Sequence, residues 1–289
     1  MMSQARSIAR LSYPVQRNNR AMVKAKDIVR LLTQVAAEYP DDLREGQLRD
    51  IPRVAFQISL VLQNSNRRNE DVSLCDIGGG IGLFSIACAA LGFNRVLVVD
   101  DFRDEINRRI GTAFFDSLHR KYGVELVIRD VIIDGLGDLP HGIDVMTTFD
   151  SMEHWHHSPK KLFREVVTAL RPGGVFILGA PNCVNLRKRM TVPLGFGKWT
   201  TMHDWYESEV FRGHVREPDV ADLHYIARDM ALDGVKIMGR NWLGHFSSNA
   251  LIRLATKLVD YPLRVRPSLC SDLYMIGFNR SNIRHKGEP

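Results

Sequence analysis

The sequence predicts an α/β fold: a seven-stranded, mostly parallel sheet with flanking helices, an N-terminal helical extension and an insertion between strands five and six. Two observations carry this. Short apolar runs with an acid at or near their ends, at 72–77, 96–101 and 124–130, recur between stretches of helical spacing, the alternation of a parallel sheet. Three alternating glycines, Gly78, Gly80 and Gly82, separate the first run from an apolar helix-like run that ends at Leu91. That is a strand, a tight turn and a helix whose first amides face open space. With 289 residues, 45% hydrophobic and 25% charged, the chain can bury one large core plus additions.

Taken in order, residues 1 to about 20 are expected to be mobile. Residues 22–39 carry Ile28, Leu31, Leu32 and Val35 at helical spacing and stop before Pro40; residues 54–62 read as a second helix, followed by a polar break over 64–71. Such a lead-in either covers a ligand mouth or packs against the core. The boundary is placed at 1–69 and 70–289. The first strand carries Asp76 near its end, and the glycine turn reads as a nucleotide-type binding loop. A dinucleotide fingerprint needs glycines at the first, third and sixth positions, but the sixth is Leu83 counted from Gly78 and Ser85 counted from Gly80. What stands instead is acid-x-Gly-x-Gly-x-Gly, from Asp76 to Gly82. An anionic Asp76 would repel a pyrophosphate and suits a ligand with ammonium and sulfonium charges.

On this pattern the chain resembles the class I S-adenosylmethionine-dependent methyltransferases, a Rossmann-like superfamily. Further segments match in order. The run VLVVDD ends in Asp100, to which the resemblance gives the ribose hydroxyls, with Asp101 as the alternative because one step along a strand reverses the side chain. The run VELVIRD ends in Asp130, implied to accept from the adenine amino group while Val131 offers its amide. For each acid a solvated strand end or a helix cap is the plainer alternative. IDVMTTFDSMEHW looks like the family's fourth strand and acid-histidine turn, with Met152, Glu153 and His154 in the Leu-Glu-His place. LRPGG, residues 170–174, looks like the turn into a fifth strand at 175–179, ahead of Pro181 and Asn182. The resemblance covers 70–182 closely and echoes through 214–218 and the final strand. It implies S-adenosylmethionine as donor, S-adenosylhomocysteine as product, and a cofactor set of Asp76, Gly78, Gly79, Gly80, Gly82, Asp100, Asp101, Asp130, Val131 and Asp150.

The sulfonium carries the activation, so such a fold holds a nucleophile in line with the methyl and excludes water. For a hydroxyl acceptor a general base helps, and His154 is the candidate, the alternative being that it only shapes the cofactor pocket. Glu153 would bond it or cap the next helix. The cluster Glu153, His154, His156 and His157 invites a metal, but hard cations want more oxygens and zinc a fourth well-placed ligand, so none is expected. His156 and His157 read as surface residues before Ser158, an N-cap for a helix over 159–170. A lid-like insertion at about 183–217 holds the substrate candidates His203, Tyr206, His214 and Arg216; an ion-paired lid with Arg216 and Glu217 in contact is the alternative. A helix at 218–230, a strand at 235–239, a helix at 247–259 and a strand at 273–278 follow.

Net charge is +6, which suits either an anionic acceptor or plain solubility. Basic residues near the start lack the interleaved aromatics of a single-strand binder, so no nucleic acid is expected. Cys75, Cys88, Cys183 and Cys270 have no paired spacing, which points to a reducing cytoplasm. The start has charge but no apolar block, unlike a secretory signal, and no run reaches a membrane span. Residues 247–266 are basic and amphipathic; an ordinary core helix is the favoured reading, peripheral membrane contact the other. The expected activity is methyl transfer to an oxygen or nitrogen of a small-molecule, glycan or lipid-linked acceptor. A non-catalytic S-adenosylmethionine-binding regulatory or assembly protein is second, and an NAD(P)-dependent oxidoreductase third. Oligomeric state is not readable.

Overall fold

The computed structural model describes residues 23–103, 109–197, 200–245, 247 and 249–280; the N-terminal stretch expected to be mobile lies outside these. Seven strands form one sheet, as expected. The chain divides into two compact units, Met1–Ile128 and Arg129–Pro289.

In the first unit the strands β1 (Ser73–Ile77), β2 (Arg95–Asp100) and β3 (Val124–Ile128) lie parallel in the order β3-β2-β1, with Asp76 level with Val98 and Ile77 with Val99. Helix α1 (Ala25–Ala36) buries Ile28, Leu32 and Val35 of the stripe its periodicity announced, together with Ala36, while Leu31 is half-buried. Helix α2 (Asp41–Asn64) is longer than the expected 54–62 and starts directly after Pro40. Its first half is polar and contains Gly46 and Pro52, so no apolar period marks it. Asp41 and Asp42 sit in its first turn, where the helix dipole favours negative charge. Both helices pack on α3 (Leu83–Ala90). The lead-in also reaches the glycine loop: the buried Tyr39 hydroxyl donates to the Ile81 carbonyl at 2.5 Å. Glu38 bonds Lys121 and Tyr122 at the end of α4 (Thr112–Lys121).

In the second unit β4 (Ile143–Phe149), β5 (Leu170–Pro181), β6 (Asp233–Arg240) and β7 (Asp272–Phe278) run in the order β4-β5-β7-β6, with β7 antiparallel to both neighbours. Val145, Phe176, Ile177, Leu178, Leu273 and Met275 form the core of this sheet. The LRPGG segment is part of β5 rather than a turn before it. Ile143 pairs Leu170 and Val145 pairs Val175, a register shift that absorbs Arg171 to Gly174 as an irregularity inside the strand. Helix α5 (Lys160–Ala169) has Pro159 at its N-cap and no side-chain cap; the Ser158 hydroxyl only meets the Lys160 amide at 3.4 Å. The insertion forms two short helices, α6 (Leu186–Thr191) and α7 (Met202–Tyr206). Helix α8 (Val220–Asp229) starts with a reciprocal capping box between Asp219 and Asp222.

Helices α9 (Trp242–His245) and α10 (Ala250–Leu263) correct an expectation. α10 is not a core helix: Asp260 is its single buried residue, while Leu251 is 75% and Leu258 71% exposed. It touches α9, and Asp260 is held by Asn241 and Arg264. Its polar anchor faces inward and its apolar stripe outward, the reverse of the arrangement that hydrophobic burial favours.

Candidate functional site

β1 delivers the chain into the glycine turn with Gly78, Gly80 and Gly82 at φ 69°, 51° and 79°. These left-handed values are costly for a residue with a Cβ. The Gly78 amide donates to the Val99 carbonyl at 2.8 Å and the Gly82 amide to Gly79 at 3.1 Å. The side chain of Asp100, at the end of β2, closes the arrangement: its Oδ2 accepts the Gly80 amide at 2.9 Å and its Oδ1 the Phe102 amide at 2.8 Å. Asp101 turns away to the Arg103 amide at 3.0 Å. Of the two strand-end acids, Asp100 is the one bonded to the loop.

Asp76 lies underneath. It is 3% exposed and accepts the Ser85 hydroxyl at 2.7 Å, and a Cβ on Gly79 would come within 2.6 Å of its Oδ2. Gly82 is confined in a way the sequence did not signal. A Cβ there would fall 2.0 Å from Nε2 of His119, a wholly buried residue on α4. The His119 Nδ1–H donates to the Phe115 carbonyl at 2.6 Å, so Nε2 carries the lone pair, and it has no hydrogen-bond partner among the described residues. Burial holds the His119 pKa below the usual imidazole range. By contrast, a Cβ on Gly80 would meet nothing within 4 Å, and no side chain caps α3. Open space over Gly80, an uncapped helix N-terminus and a carboxylate at the next strand's end fit a nucleoside-type cofactor with a diol.

In the second unit Asp130 caps its own turn, its Oδ1 accepting the Ile132 and Ile133 amides at 3.1 and 3.2 Å, and Val131 is buried behind it. Asp150 follows β4 at φ 51°, a left-handed position tolerated by aspartate, with its amide bonded to Gly179. Next comes the one-turn helix Met152–His154. The His154 Nδ1–H donates to the Arg212 carbonyl, 58 residues on, at 2.7 Å. Burial pulls the His154 pKa down, partly offset by the Arg212 carbonyl, so the imidazole is neutral at pH 7 with its lone pair on Nε2. The His214 ring stands edge-on, with centroids 4.9 Å apart and planes at 85°. His214 Nδ1–H donates to Glu217 Oε1 at 2.8 Å, and Glu217 also pairs with Lys188. Burial would raise the Glu217 pKa, but His214 and Lys188 together bring it below the usual carboxylate range. The Glu153 carbonyl accepts the Val215 and Arg216 amides at 2.6 and 3.2 Å, tying the turn to the end of the insertion.

Of the four substrate candidates, His214 joins His154. Arg216 does not pair with Glu217 but with Asp222, at 3.1 Å. His203 and Tyr206 lie exposed on α7, with no hydrogen bond or ring contact to the histidine pair among the described residues. His156 and His157 are exposed as expected, and His156 Nε2 bonds the Phe211 carbonyl at 2.9 Å. An open cavity of about 550 Å³ adjoins the turn, lined by Met152, Trp155, Phe163, Val215 and Tyr225 among others. Tyr39 and His119 are the residues against the loop that sequence reasoning missed. Neither belongs to a motif, and both act through contacts distant along the chain.

Residues 47–236 match the family described as a methyltransferase domain. Two solved structures of phosphoethanolamine N-methyltransferase 2 from Haemonchus contortus are similar in fold. One, in complex with phosphomonomethylethanolamine and S-adenosylhomocysteine, is 17% identical with a TM-score of 0.51 over 78% of this chain and 53% of that one. The other, in complex with S-adenosyl-L-methionine, is 15% identical with a TM-score of 0.52 over 91% and 59%. The chain thus spans a little over half the length of those enzymes. No curated protein matches the sequence. Among the described residues no helix is long and apolar enough to cross a membrane.

Proposed function

This chain belongs to the methyltransferase-domain family, and from that premise we propose that it moves a methyl group from S-adenosylmethionine to an oxygen or nitrogen of a small-molecule, glycan or lipid-linked acceptor. The observation that carries the reading is the bond from the Gly80 amide to Asp100, which sets a diol-accepting carboxylate against an open glycine loop. The cofactor supplies a sulfonium-bound methyl that leaves without its electron pair, and S-adenosylhomocysteine remains. Gly78, Gly79, Gly80 and Gly82 give the backbone cradle, Asp100 takes the ribose hydroxyls, and Asp76 supports the loop from below through Ser85. Asp101 is the secondary carboxylate. The family resemblance assigns the adenine edge to Asp130 and Val131, and Asp150 to the cofactor side. The Nε2 lone pair of His154 activates the acceptor; alone, it takes the acceptor's proton. His214 orients it, and Arg216, His203 and Tyr206 belong to the acceptor side of the insertion. Four free cysteines, three of them buried, support a reducing, cytoplasmic setting.

Calorimetric titration with S-adenosylhomocysteine beside NADH, on wild type and Asp100→Ala, tests this. Micromolar binding of the first ligand alone is expected, weakened at least tenfold by the substitution, about 1.4 kcal/mol. Binding of NADH, or of neither ligand, would sink the reading. Binding with no turnover on any acceptor would favour the regulatory alternative.

One observation favours a membrane-proximal acceptor. Leu251, Leu254, Leu258, Tyr261 and Val265 are exposed beside Arg253, Lys257 and Arg266, a pattern suited to an anionic lipid surface. Co-sedimentation with phosphatidylserine vesicles, and none with phosphatidylcholine vesicles, is the expected result.

A further inference from the structure

We infer that Glu153, His154 and His214 form a binding site for one divalent transition-metal ion with coordination positions left open. Their ligand atoms all lie within 4.8 Å of one another. Two of the residues sit on one turn, and the third arrives from the far end of the insertion.

The tautomers are decided by the outer bonds. His154 gives its Nδ1–H to the Arg212 carbonyl and His214 gives its own to Glu217, which leaves Nε2 of each neutral ring as the nitrogen able to ligate. This is how metal-ligating histidines are oriented, by a carbonyl or a carboxylate on the opposite ring nitrogen. Glu217 is itself fixed by Lys188, which keeps the His214 support rigid. Glu153 is 1% exposed, and its carboxylate adds a third electron-pair donor at the same point. Glu153 is buried while His154 is half-buried and His214 exposed, so the three donors converge at an accessible point that can take a cation, either a metal or a proton on an imidazole.

The donor set selects the ion. Two imidazole nitrogens and one carboxylate suit zinc, cobalt, iron or manganese, whereas magnesium and calcium want all-oxygen shells. Three protein ligands are the number found in open, substrate-binding sites rather than closed structural ones. The histidines adjacent in sequence, His156 and His157, take no part. They are exposed, and His156 is spent on the Phe211 carbonyl.

The consequence for chemistry rests on the proposed function, although the binding does not. An acceptor hydroxyl on an open position would release its proton to water. Its oxygen pair would then form the new C–O bond as the S–C bond breaks, with His154 acting through the ion rather than as a free base.

The test uses the full chain, stripped by dialysis against a chelator and titrated with Co²⁺ by visible absorption, then with Zn²⁺ by calorimetry. One equivalent per chain is expected, with d–d bands of a low-coordinate site, weakened at least about 100-fold in His214→Ala. Glu153→Gln should do the same, and His156→Ala should not differ from wild type. Glu153 is buried, so if its variant melts early the half-exposed His214 decides. Failure of wild type to saturate by about 1 mM Co²⁺, or an unchanged affinity in His214→Ala, would overturn the inference. Titrating the same stripped protein with S-adenosylhomocysteine separates the two readings. Cofactor binding without metal binding removes only this inference, and metal binding without cofactor binding removes only the methyl-transfer reading.

Discussion

In the first unit the glycine loop over residues 78–82 is closed by one carboxylate twenty positions on. In the second unit Glu153, His154 and His214 stand together, the two imidazoles held by the Arg212 carbonyl and by Glu217. The glycine loop is a stretch of chain whose own residue types set its shape. The histidine cluster has no local shape of its own and exists because the insertion returns to the turn after β4. A backbone cradle can therefore be written in a contiguous motif, while a side-chain cluster is assembled, and its composition is free to vary with the insertion.

Substitutions can break this contrast. His154→Ala should lower turnover by about 10²–10⁴-fold while S-adenosylhomocysteine affinity stays within about threefold; equal losses in both would make His154 part of the cofactor pocket and dissolve the division. Gly82→Ala forces a Cβ into left-handed backbone and onto His119. We expect it to cost ~2–4 kcal/mol in urea unfolding and to abolish cofactor binding. A Gly82→Ala/His119→Ala double variant should recover part of the stability, and a simple sum of the single effects would show that the imidazole does not confine the loop. Tyr39→Phe removes the hydroxyl that bonds Ile81 and should cost about 1–2 kcal/mol, with a smaller effect on affinity; no loss would mean the lead-in does not brace the loop.

Proton linkage sharpens the comparison further. His119 and His154 both have folded pKa values below the ordinary 6.5. The unfolded chain therefore binds more protons near that pH, so their contribution is fully present above 6.5 and is lost as pH falls through the folded values. Thermal midpoints should drop between about pH 7 and pH 5, and the slope should flatten in His119→Gln. The smallest effect belongs to α10: Leu251→Glu with Leu258→Glu should change stability by no more than about 0.5 kcal/mol yet abolish vesicle binding.

Much of the fold was legible. Apolar runs with an acid at or near their ends located β1, β2 and β3, and the alternating glycines located the loop, because these elements depend on neighbouring residues. The preference for Asp100 over Asp101 rested on resemblance, and the structure adds that the Asp100 carboxylate bonds the Gly80 amide while that of Asp101 accepts the Arg103 amide. The first half of α2 was missed because a helix can persist through polar residues and Pro52 when tertiary packing holds its other half. α10 was read as core because amphipathic spacing shows that a face is apolar but not which side the protein lies on. Arg216 went to Asp222, since a helix-cap acid was nearer than its sequence neighbour.

By itself the sequence determined the positive-φ turn, the places of the strands along the chain and the carboxylate at the end of β2, each a matter of local backbone preference or strand period. Only the tertiary structure decided that His119 sits beneath Gly82, that Tyr39 holds Ile81, and that His214 rather than His156 stands beside His154. Those pairings join residues separated by long loops. The free energy that closes such loops comes from packing across the whole unit, so no local pattern records where they end.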